Sequence, residues 1–302
     1  MNGSPVSPPV SYIEPLFRPP SEANSLILQV TNGCSWNRCT FCEMYIDPQK
    51  QFKPKSETLL LEEIVRCGQQ LSGVRRVFLG DGDAMVLSFR RLKTILEAIR
   101  THLPGVTRVS AYALPSNLKH KTVEELQSLR DLGLTLIYVG AESGDDEVLR
   151  CIDKGETFQS TVDGLLKARQ AGIKTSVMLI NGLGGVRMSE QHARASAKLI
   201  NAVQPEYLAT LVLFSRRGNR RVSEGFGGNF TQLDQRQLFQ EMEMFLSDLR
   251  LTGTIFRSDH ASNFLVLKGV LNRDLDAMLT QLRTAIETPE RVFLRQDYQR
   301  GL

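Results

Sequence analysis

Two patterns of hydrophobic residues alternate along residues 25–215, one typical of buried strands and one typical of helices. Short apolar runs such as residues 134–139 have the length and composition of buried strands. The segments between them, such as residues 88–100, carry apolar residues at helical spacing. This alternation predicts an α/β fold whose parallel strands are joined by right-handed crossovers. The six predicted strands lie at residues 25–31, 74–79, 106–112, 134–139, 173–180 and 206–214.

The pattern changes on either side of this core. Residues 1–24 hold six prolines, which predict an extended N-terminal arm. After residue 215, a glycine- and arginine-rich stretch is predicted as a loop. A helix at 232–250 with Thr231 as its N-cap, a short strand at 254–257 and a helix at 274–287 are predicted to follow. We therefore expect three parts: an arm at 1–24, a core at 25–215 and a small, mostly helical C-terminal extension at 216–302 that closes the core.

The composition narrows the class of protein. The 302 residues are 41% hydrophobic, which is enough for a sizeable core, and the net charge of +4 is spread along the chain. No apolar run approaches the ~20 residues of a membrane span, and the first residues lack the pattern of a secretory signal. Five cysteines without paired spacing argue against a disulfide framework. We expect a reduced, cytoplasmic protein with no membrane partner.

Three of the five cysteines lie in one short loop after the first strand. Cys34, Cys39 and Cys42 can reach one centre at a small loop-closure cost. A structural zinc site needs four ligands, usually as two separated pairs, and no fourth ligand stands nearby. A tight cysteine run is typical of an iron–sulfur cluster, and three ligands would leave one iron open for a small molecule. A zinc-binding or merely reduced cysteine cluster is the alternative.

The motif Cys34-x4-Cys39-x2-Cys42, with Phe41 before the last cysteine, resembles the cluster loop of radical S-adenosylmethionine (SAM) enzymes. The commonest form of that loop has three residues in the first gap, whereas this chain has four. The run GCSWNRCTFCEMY resembles one stand-alone, uncharacterised-type branch. The resemblance implies a partial (β/α)6 TIM-like barrel over residues 25–215. It also implies a [4Fe-4S] cluster on the three cysteines, SAM as a second cofactor, and a reductant such as flavodoxin or ferredoxin.

The sequence after the second strand is the run Gly80, Asp81, Gly82 and Asp83. In a parallel β/α barrel, functional groups gather at the carboxyl ends of the strands. The run resembles the glycine-and-acid motif whose backbone and acid hold the SAM amino group. Asp83 matches the acid position, and Asp81 is a second candidate. A turn rich in Asp and Gly is the alternative.

The loops after strands four and five also match this superfamily. Glu142, followed by Ser143, resembles the acid that accepts hydrogen bonds from ribose hydroxyls. Lys154 lies where many members carry a base near the SAM carboxylate, and an exposed loop lysine is its alternative. The turn at Asn181 and Gly182 resembles the one that packs near adenine. The resemblance gives the backbone of Phe41 a further adenine contact, beside simple packing of its side chain.

Substrate contacts are predicted from position after strand three and, in the tail, from the resemblance. Tyr112 and Ser116 follow strand three, so they would lie at the same edge of the sheet. Arg257, His260 and Asn263 belong to a polar stretch in the tail that resembles a tail segment of the same branch. Histidine is the usual acid–base residue, so His260 is a candidate catalytic group, with a structural histidine as the alternative.

An arginine group at Arg216, Arg217, Arg220 and Arg221 would suit an anionic substrate or RNA phosphates. No stacking aromatics interleave it, which favours an exposed basic loop and predicts no nucleic-acid partner.

The sequence thus predicts a radical SAM enzyme that cleaves SAM reductively and acts on a small molecule. One rival is an iron–sulfur electron-transfer or redox-sensing protein, which would need none of the glycine and acid motifs. A second rival is an RNA-modifying radical SAM enzyme such as a methylthiotransferase, whose extra cysteine domain and RNA-binding barrel are not expected in this chain. The substrate, the fate of SAM, the oligomeric state and the roles of Cys67 and Cys151 are left open.

Overall fold

A computed structural model describes residues 8–301 of the chain. Pro5 and the rest of residues 1–7 of the predicted arm lie outside the described residues. Within them, strands β1 to β10 are Leu26–Gln29, Thr31–Asn32, Lys53–Pro54, Arg76–Gly80, Arg108–Ala113, Leu134–Glu142, Lys174–Asn181, Tyr207–Val212, Ile255–Ser258 and Leu267–Val270. Helices α1 to α10 are Glu57–Gln70, Phe89–His102, Pro115–Lys119, Val123–Asp131, Asp146–Cys151, Phe158–Gln170, Gly185–Val203, Arg220–Gly225, Gln235–Ser247 and Leu275–Glu287.

The central sheet has eight strands in the order β1-β4-β5-β6-β7-β8-β9-β10. The six strands predicted from the sequence stand in chain order, and their α/β alternation is confirmed. The pairs β1–β4, β4–β5, β7–β8 and β8–β9 are parallel, while β10 runs antiparallel to β9. In the described part of the chain, no helix is long and apolar enough to cross a membrane.

Among the described residues, the first compact unit comprises 8–37, 44–138 and 167–174. Its strands β1, β4 and β5 are parallel, and Leu28 of β1 pairs with Leu79 of β4. Leu92, Ile95, Leu96 and Ile99 form the buried face of α2, as their helical spacing predicts. Helix α1 buries Cys67, whose role the sequence leaves open.

The described part of the arm packs within this first unit. The Tyr12 hydroxyl donates to the carbonyl oxygen of Ile27 at 2.8 Å, and the backbone N–H of Ile13 donates to the Gln29 side chain at 2.8 Å. The Ser11 backbone N–H donates to the buried Glu63 carboxylate at 2.9 Å. These bonds hold the arm beside β1. The division of the chain at residues 24 and 215 stays a prediction.

The second compact unit comprises the described residues 38–43, 139–166 and 175–301. Its tail supplies three helices and two strands. The stretch predicted as a loop after residue 215 contains α8, so that prediction is wrong. This helix is six residues long and buries only Val222, so it shows no apolar periodicity. Strand β10 was not predicted, because four residues that include Gly269 give too short a signal.

Helix α9 begins later than predicted. Asp234, and not Thr231, is its N-cap: the Asp234 carboxylate accepts from the Gln237 backbone N–H at 2.8 Å. The Gln237 side chain accepts from the Asp234 backbone N–H in return, which completes a capping box. The carbonyl of Thr231 instead accepts a hydrogen bond from Val186.

Candidate functional site

In the first unit, two glycines bring the loop after β4 against the start of the cysteine loop. Gly82 has a φ of +49°, and a Cβ on it would lie 1.9 Å from the Gly33 carbonyl oxygen. No other residue fits there without moving the backbone. Thr31 and Asp81 also exchange hydrogen bonds, at 3.0 Å from the Asp81 N–H and 2.7 Å from the Thr31 hydroxyl. The second glycine of the Gly80–Asp83 run is therefore required by a close backbone approach.

Asp83 is wholly buried and binds the cysteine loop. The backbone N–H of Ser35 donates to Oδ1 at 2.8 Å, and the Ser35 hydroxyl donates to Oδ2. Asn117 donates to the same Oδ2 at 3.4 Å. Burial raises the pKa of Asp83, and the bonds from Ser35 and Asn117 oppose that rise. Asp83 therefore positions the residue next to Cys34, and its predicted contact with SAM stays a prediction.

Asp81 also lies among protein partners. Its carboxylate is wholly buried and forms an ion pair with the buried ammonium of Lys50. The Tyr45 hydroxyl donates to Asp81 Oδ1 at 2.9 Å and accepts from the Gly82 N–H at 2.9 Å. Burial, followed by the Asp81 charge, raises the pKa of Tyr45, so the phenol stays protonated as a donor. The SAM contact of Asp81 stays a prediction. Lys50, its ion-pair partner, is not singled out by any sequence pattern.

The strand-three candidates are half-buried. Tyr112, in β5, packs its ring edge-on against Phe78 with centroids 5.0 Å apart, and burial raises its pKa. Ser116 lies in the first turn of α3. The nearby Lys121, which the sequence did not reveal, donates to the Met85 carbonyl oxygen at 2.6 Å, and burial lowers its pKa to about 8. Whether Tyr112 and Ser116 touch a substrate stays a prediction.

In the second unit, the latter half of the cysteine loop rests on an apolar cluster. Phe41 is partly buried and packs against side chains that include Leu149 and Phe226. The Cys42 N–H donates to the Cys39 carbonyl oxygen at 3.2 Å, and the Thr40 N–H donates to the Ile152 carbonyl oxygen at 2.9 Å. The expected packing of the Phe41 side chain is therefore present, and its backbone contact with adenine stays a prediction.

Glu142 and Lys154 form a close pair at the end of β6. Lys154 Nζ lies 2.9 Å from Glu142 Oε1. Lys154 is buried, so the alternative of an exposed loop lysine is wrong. Glu142 has a φ of +64°, the left-handed region that non-glycine residues rarely adopt. Such strain clusters at binding and catalytic sites, which supports a functional role for this carboxylate.

Ser143, next to Glu142, belongs to a buried polar network. Its hydroxyl lies 2.8 Å from Nδ1 of His192, and Nε2 of the same ring lies 3.0 Å from the Ile180 carbonyl oxygen. Because a carbonyl can only accept, Nε2 donates to it, and in a neutral imidazole Nδ1 then accepts from the Ser143 hydroxyl. The predicted SAM residue Ser143 thus orients the His192 side chain of helix α7, which no sequence pattern singles out.

The loop after β7 is held by helix α9. The Asn181 side chain donates to the Leu238 carbonyl oxygen at 3.1 Å. The Gly182 N–H donates to Oε1 of Glu241 at 2.6 Å, and the Ser189 hydroxyl donates to Oε2 at 2.6 Å. Glu241 is buried, so a carboxylate from the tail orders this predicted adenine loop.

The tail candidates are held by the end of the chain. Arg295 donates to the carbonyl oxygens of His260 and Asn263 at 2.6 and 3.2 Å. The Asn263 side chain is buried and donates to the Thr210 carbonyl oxygen at 2.9 Å. Burial, and then the Arg295 charge, lower the pKa of His260. Arg257 is exposed. The substrate roles of these residues stay predictions.

The cysteine loop carries a donor set that fits an iron–sulfur cluster. Cys34, Cys39 and Cys42 are all partly exposed. The buried Thr40 hydroxyl between two of them has no protein partner, which is consistent with a group bound beside the loop. Across residues 8–301, no three His, Cys, Asp or Glu side chains are arranged to hold a single metal ion. In a cluster, by contrast, each thiolate binds a different iron atom.

The family model described as the radical SAM superfamily matches residues 28–196. The chain belongs to the radical SAM superfamily. Enzymes of this superfamily use a [4Fe-4S] cluster and SAM, and they take an electron from an external reductant. This radical SAM chain is accordingly an enzyme, and the family predicted from the cysteine loop is confirmed.

Several relatives of this radical SAM chain are named GTP 3′,8-cyclase. The one from Aeromonas hydrophila is 25% identical over 92% of this chain and 68% of its own length. The one from Listeria monocytogenes serotype 4b is 24% identical over 60% of this chain and 53% of its own length. The heme chaperone HemW of Bacillus subtilis is 23% identical over 54% of this chain and 44% of its own length. The chain thus spans about half of two of these relatives.

Solved structures share the radical SAM fold. Coproporphyrinogen III oxidase (HemN) from Escherichia coli superposes with a TM-score of 0.56 at 18% identity, over 74% of this chain and 52% of that one. The methyltransferase TsrM from Kitasatospora setae gives 0.51 at 21% identity, over 62% of this chain and 36% of that one. At these identities the likeness concerns the fold, and it agrees with the TIM-like architecture predicted from the sequence.

Proposed function

We propose that Cys34, Cys39 and Cys42 hold a [4Fe-4S] cluster and that the chain cleaves SAM reductively. The cysteine loop inside the superfamily match is the observation that carries this proposal. When bound, the cluster would supply one electron that splits SAM into methionine and a 5′-deoxyadenosyl radical, which takes a hydrogen atom from the substrate. The polypeptide binds and orients SAM and keeps water away.

Two acids would divide the recognition of SAM. Asp83 would lie near the amino group, because its carboxylate follows the glycines of the β4 loop and is already held by Ser35. Glu142 would accept hydrogen bonds from the ribose hydroxyls of SAM. The Lys154 ammonium beside it would face the carboxylate of SAM. The contact of the buried Lys154 with Glu142 and the left-handed backbone of Glu142 support this assignment.

The other SAM contacts proposed are Phe41, Gly80, Asp81, Gly82, Ser143, Asn181 and Gly182. The substrate contacts proposed are Tyr112, Ser116, Arg257, His260 and Asn263. We also propose a cytoplasmic enzyme that receives its electron from a flavodoxin or ferredoxin and has a small-molecule substrate. The three-part organisation with boundaries at residues 24 and 215 belongs to the same proposal.

GTP is the first substrate to test. The Aeromonas relative named GTP 3′,8-cyclase aligns with 92% of this chain, which favours a purine nucleotide over other small molecules. GTP that accelerates SAM cleavage and is itself converted would support this second candidate function. Unchanged GTP with undiminished SAM cleavage would direct the search to other substrates.

Anaerobic reconstitution tests the class of reaction. The purified chain is loaded with iron and sulfide, reduced with dithionite in the presence of SAM and assayed for 5′-deoxyadenosine. We expect product from the wild type and none from Cys34→Ala, Cys39→Ala or Cys42→Ala. Cys67→Ala is the matched control, because its thiol is buried in α1, away from the loop in sequence.

The rival classes give different results in the same assay. A bound cluster with no SAM cleavage and no SAM-dependent spectral change would favour an electron carrier or sensor. Zinc bound in place of a cluster would overturn the proposal. Product formation by Cys39→Ala equal to that of the wild type would also overturn it.

A further inference from the structure

Arg221, at the start of helix α8, contacts the backbone of two cluster cysteines. Its Nη1 donates to the Cys42 carbonyl oxygen at 2.9 Å, and its Nη2 donates to the Cys39 carbonyl oxygen at 3.0 Å. The guanidinium is a planar, permanently charged fork, so the two bonds fix both carbonyls at once. The sequence favoured an exposed basic loop here, and the structure gives this exposed arginine a defined partner.

Glu43, the residue after Cys42, makes a reciprocal set of bonds to the same segment. Its carboxylate accepts from the backbone N–H groups of Arg216 and Arg217, at 3.1 and 3.2 Å. It also accepts from the Ser215 hydroxyl at 2.6 Å. Residues 39–43 are thus joined to residues 215–221 by one charged group from each side.

We propose that Arg221 is a positioning residue that orders residues 39–43 for cluster binding and raises the reduction potential of the bound cluster. This inference rests on the proposed function for its cluster part. Two of the three cluster cysteines, Cys39 and Cys42, lie in residues 39–43. Loss of the Arg221 hydrogen bonds to their carbonyls would leave this segment less ordered before the cluster binds. A fixed positive charge beside the two ligands favours the reduced, more negative cluster over the oxidised one.

The neighbouring Arg220 provides a matched control. Arg220 lies on the same short helix and has the same charge, but its exposed guanidinium pairs with Glu224 one turn along, at 2.8 Å. A general effect of removing one charge from α8 would appear in both Arg220→Gln and Arg221→Gln. An effect through the cysteine carbonyls would appear in Arg221→Gln alone.

The first experiment uses the full chain without a cluster. Amide hydrogen exchange of peptides that span residues 39–43 should be about tenfold faster in Arg221→Gln than in the wild type, and unchanged in Arg220→Gln. Equal exchange in the wild type and Arg221→Gln would overturn the inference. This readout does not depend on the proposed function, whose failure would show as a wild type that binds no cluster.

The second experiment uses reconstituted protein. Iron release to a chelator should be about tenfold faster in Arg221→Gln, and a redox titration followed by electron paramagnetic resonance should show a lower midpoint potential. Arg221→Lys keeps the charge and loses the fork, so it should restore the potential but not the retention of iron. The inference would be overturned if Arg221→Gln and Arg220→Gln had the same midpoint potential and the same rate of iron release.

Discussion

The Lys50 ammonium pairs with the Asp81 carboxylate, and neither side chain is exposed. Lys50 Nζ also donates to the Ile13 carbonyl oxygen at 3.1 Å, so the ammonium joins the arm to the loop after β4. Asp81 is held from another side by the Tyr45 hydroxyl at 2.9 Å. One of the two acids in the Gly80–Asp83 run therefore has a structural partner that orders the loop carrying the other.

Replacing Lys50 should destabilise the fold. Lys50→Met leaves the buried Asp81 charge without its counter-ion, and breaking a buried pair in this way costs about 3–5 kcal/mol. We expect a clearly lower urea concentration at half-unfolding, followed by circular dichroism. The double change Lys50→Met and Asp81→Asn removes the uncompensated charge and should recover part of the loss.

Lys53→Met is the control for Lys50, because Lys53 is exposed three residues along. Its midpoint should stay near that of the wild type, as for most surface substitutions. If Lys50→Met unfolds at the same urea concentration as Lys53→Met, the ion pair does not stabilise the fold.

A single methyl group at Gly140 should displace the Glu142 carboxylate. A Cβ on Gly140 would lie 2.1 Å from Glu142 Oε1 and 3.4 Å from Lys154 Nζ. The clashing atoms end flexible side chains, so the backbone of Gly140→Ala can stay in place. We expect normal folding and cluster content with about tenfold weaker SAM binding, the effect of one charge-assisted hydrogen bond of ~1.5 kcal/mol.

Equilibrium binding of SAM to the reconstituted, anaerobic protein measures this effect. Glu142→Gln, which keeps the shape and removes the charge, should weaken binding to a similar extent. SAM binding by Gly140→Ala as tight as that of the wild type would show that the Glu142–Lys154 pair does not contact SAM.

The parts of this structure that the sequence predicted are those encoded locally. The spacing of Leu92, Ile95 and Ile99 alone defines α2, and three cysteines within nine positions alone suggest a cluster loop. Lys50 and Arg221 could not be found in this way. Their partners lie 31, 179 and 182 positions away in the chain, so only the tertiary fold makes them neighbours. The same applies to Glu241. In the sequence it is an ordinary helical glutamate, and only the fold brings its carboxylate to the Gly182 N–H.

His260 should give the tail a measurable pH dependence. Burial and the Arg295 charge lower its pKa, against a weaker opposing effect of Asp259. The folded protein therefore binds this proton less tightly than the unfolded chain does. The resulting stability is present above the unfolded pKa of about 6.5 and is lost as the pH falls through the folded pKa.

Urea unfolding at about pH 7.5 and about pH 5.5 tests the sign of this effect. The wild type should lose more stability on acidification than His260→Asn, whose side-chain oxygen can still accept from Ser262. His120→Asn is the control, because His120 is exposed. An equal loss of stability in the wild type and His260→Asn would contradict the prediction.

Gly225, at the end of helix α8, should affect the order of the cysteine loop, because a Cβ on it would lie 3.4 Å from Thr40 Cγ2 in that loop. A Cβ there would lie 2.0 Å from the Cys151 carbonyl oxygen. A backbone atom cannot move aside as a side chain can, so Gly225→Ala must shift α8 and carry Arg221 with it. We expect faster hydrogen exchange at residues 39–43, whereas Gly253→Ala, whose added methyl meets no atom within 4 Å, should leave exchange unchanged. If the added methyl acts on residues 39–43 only by moving Arg221, Gly225→Ala combined with Arg221→Gln should exchange no faster than the more affected single variant. Additive acceleration would instead mean that α8 and Arg221 order the loop by separate routes.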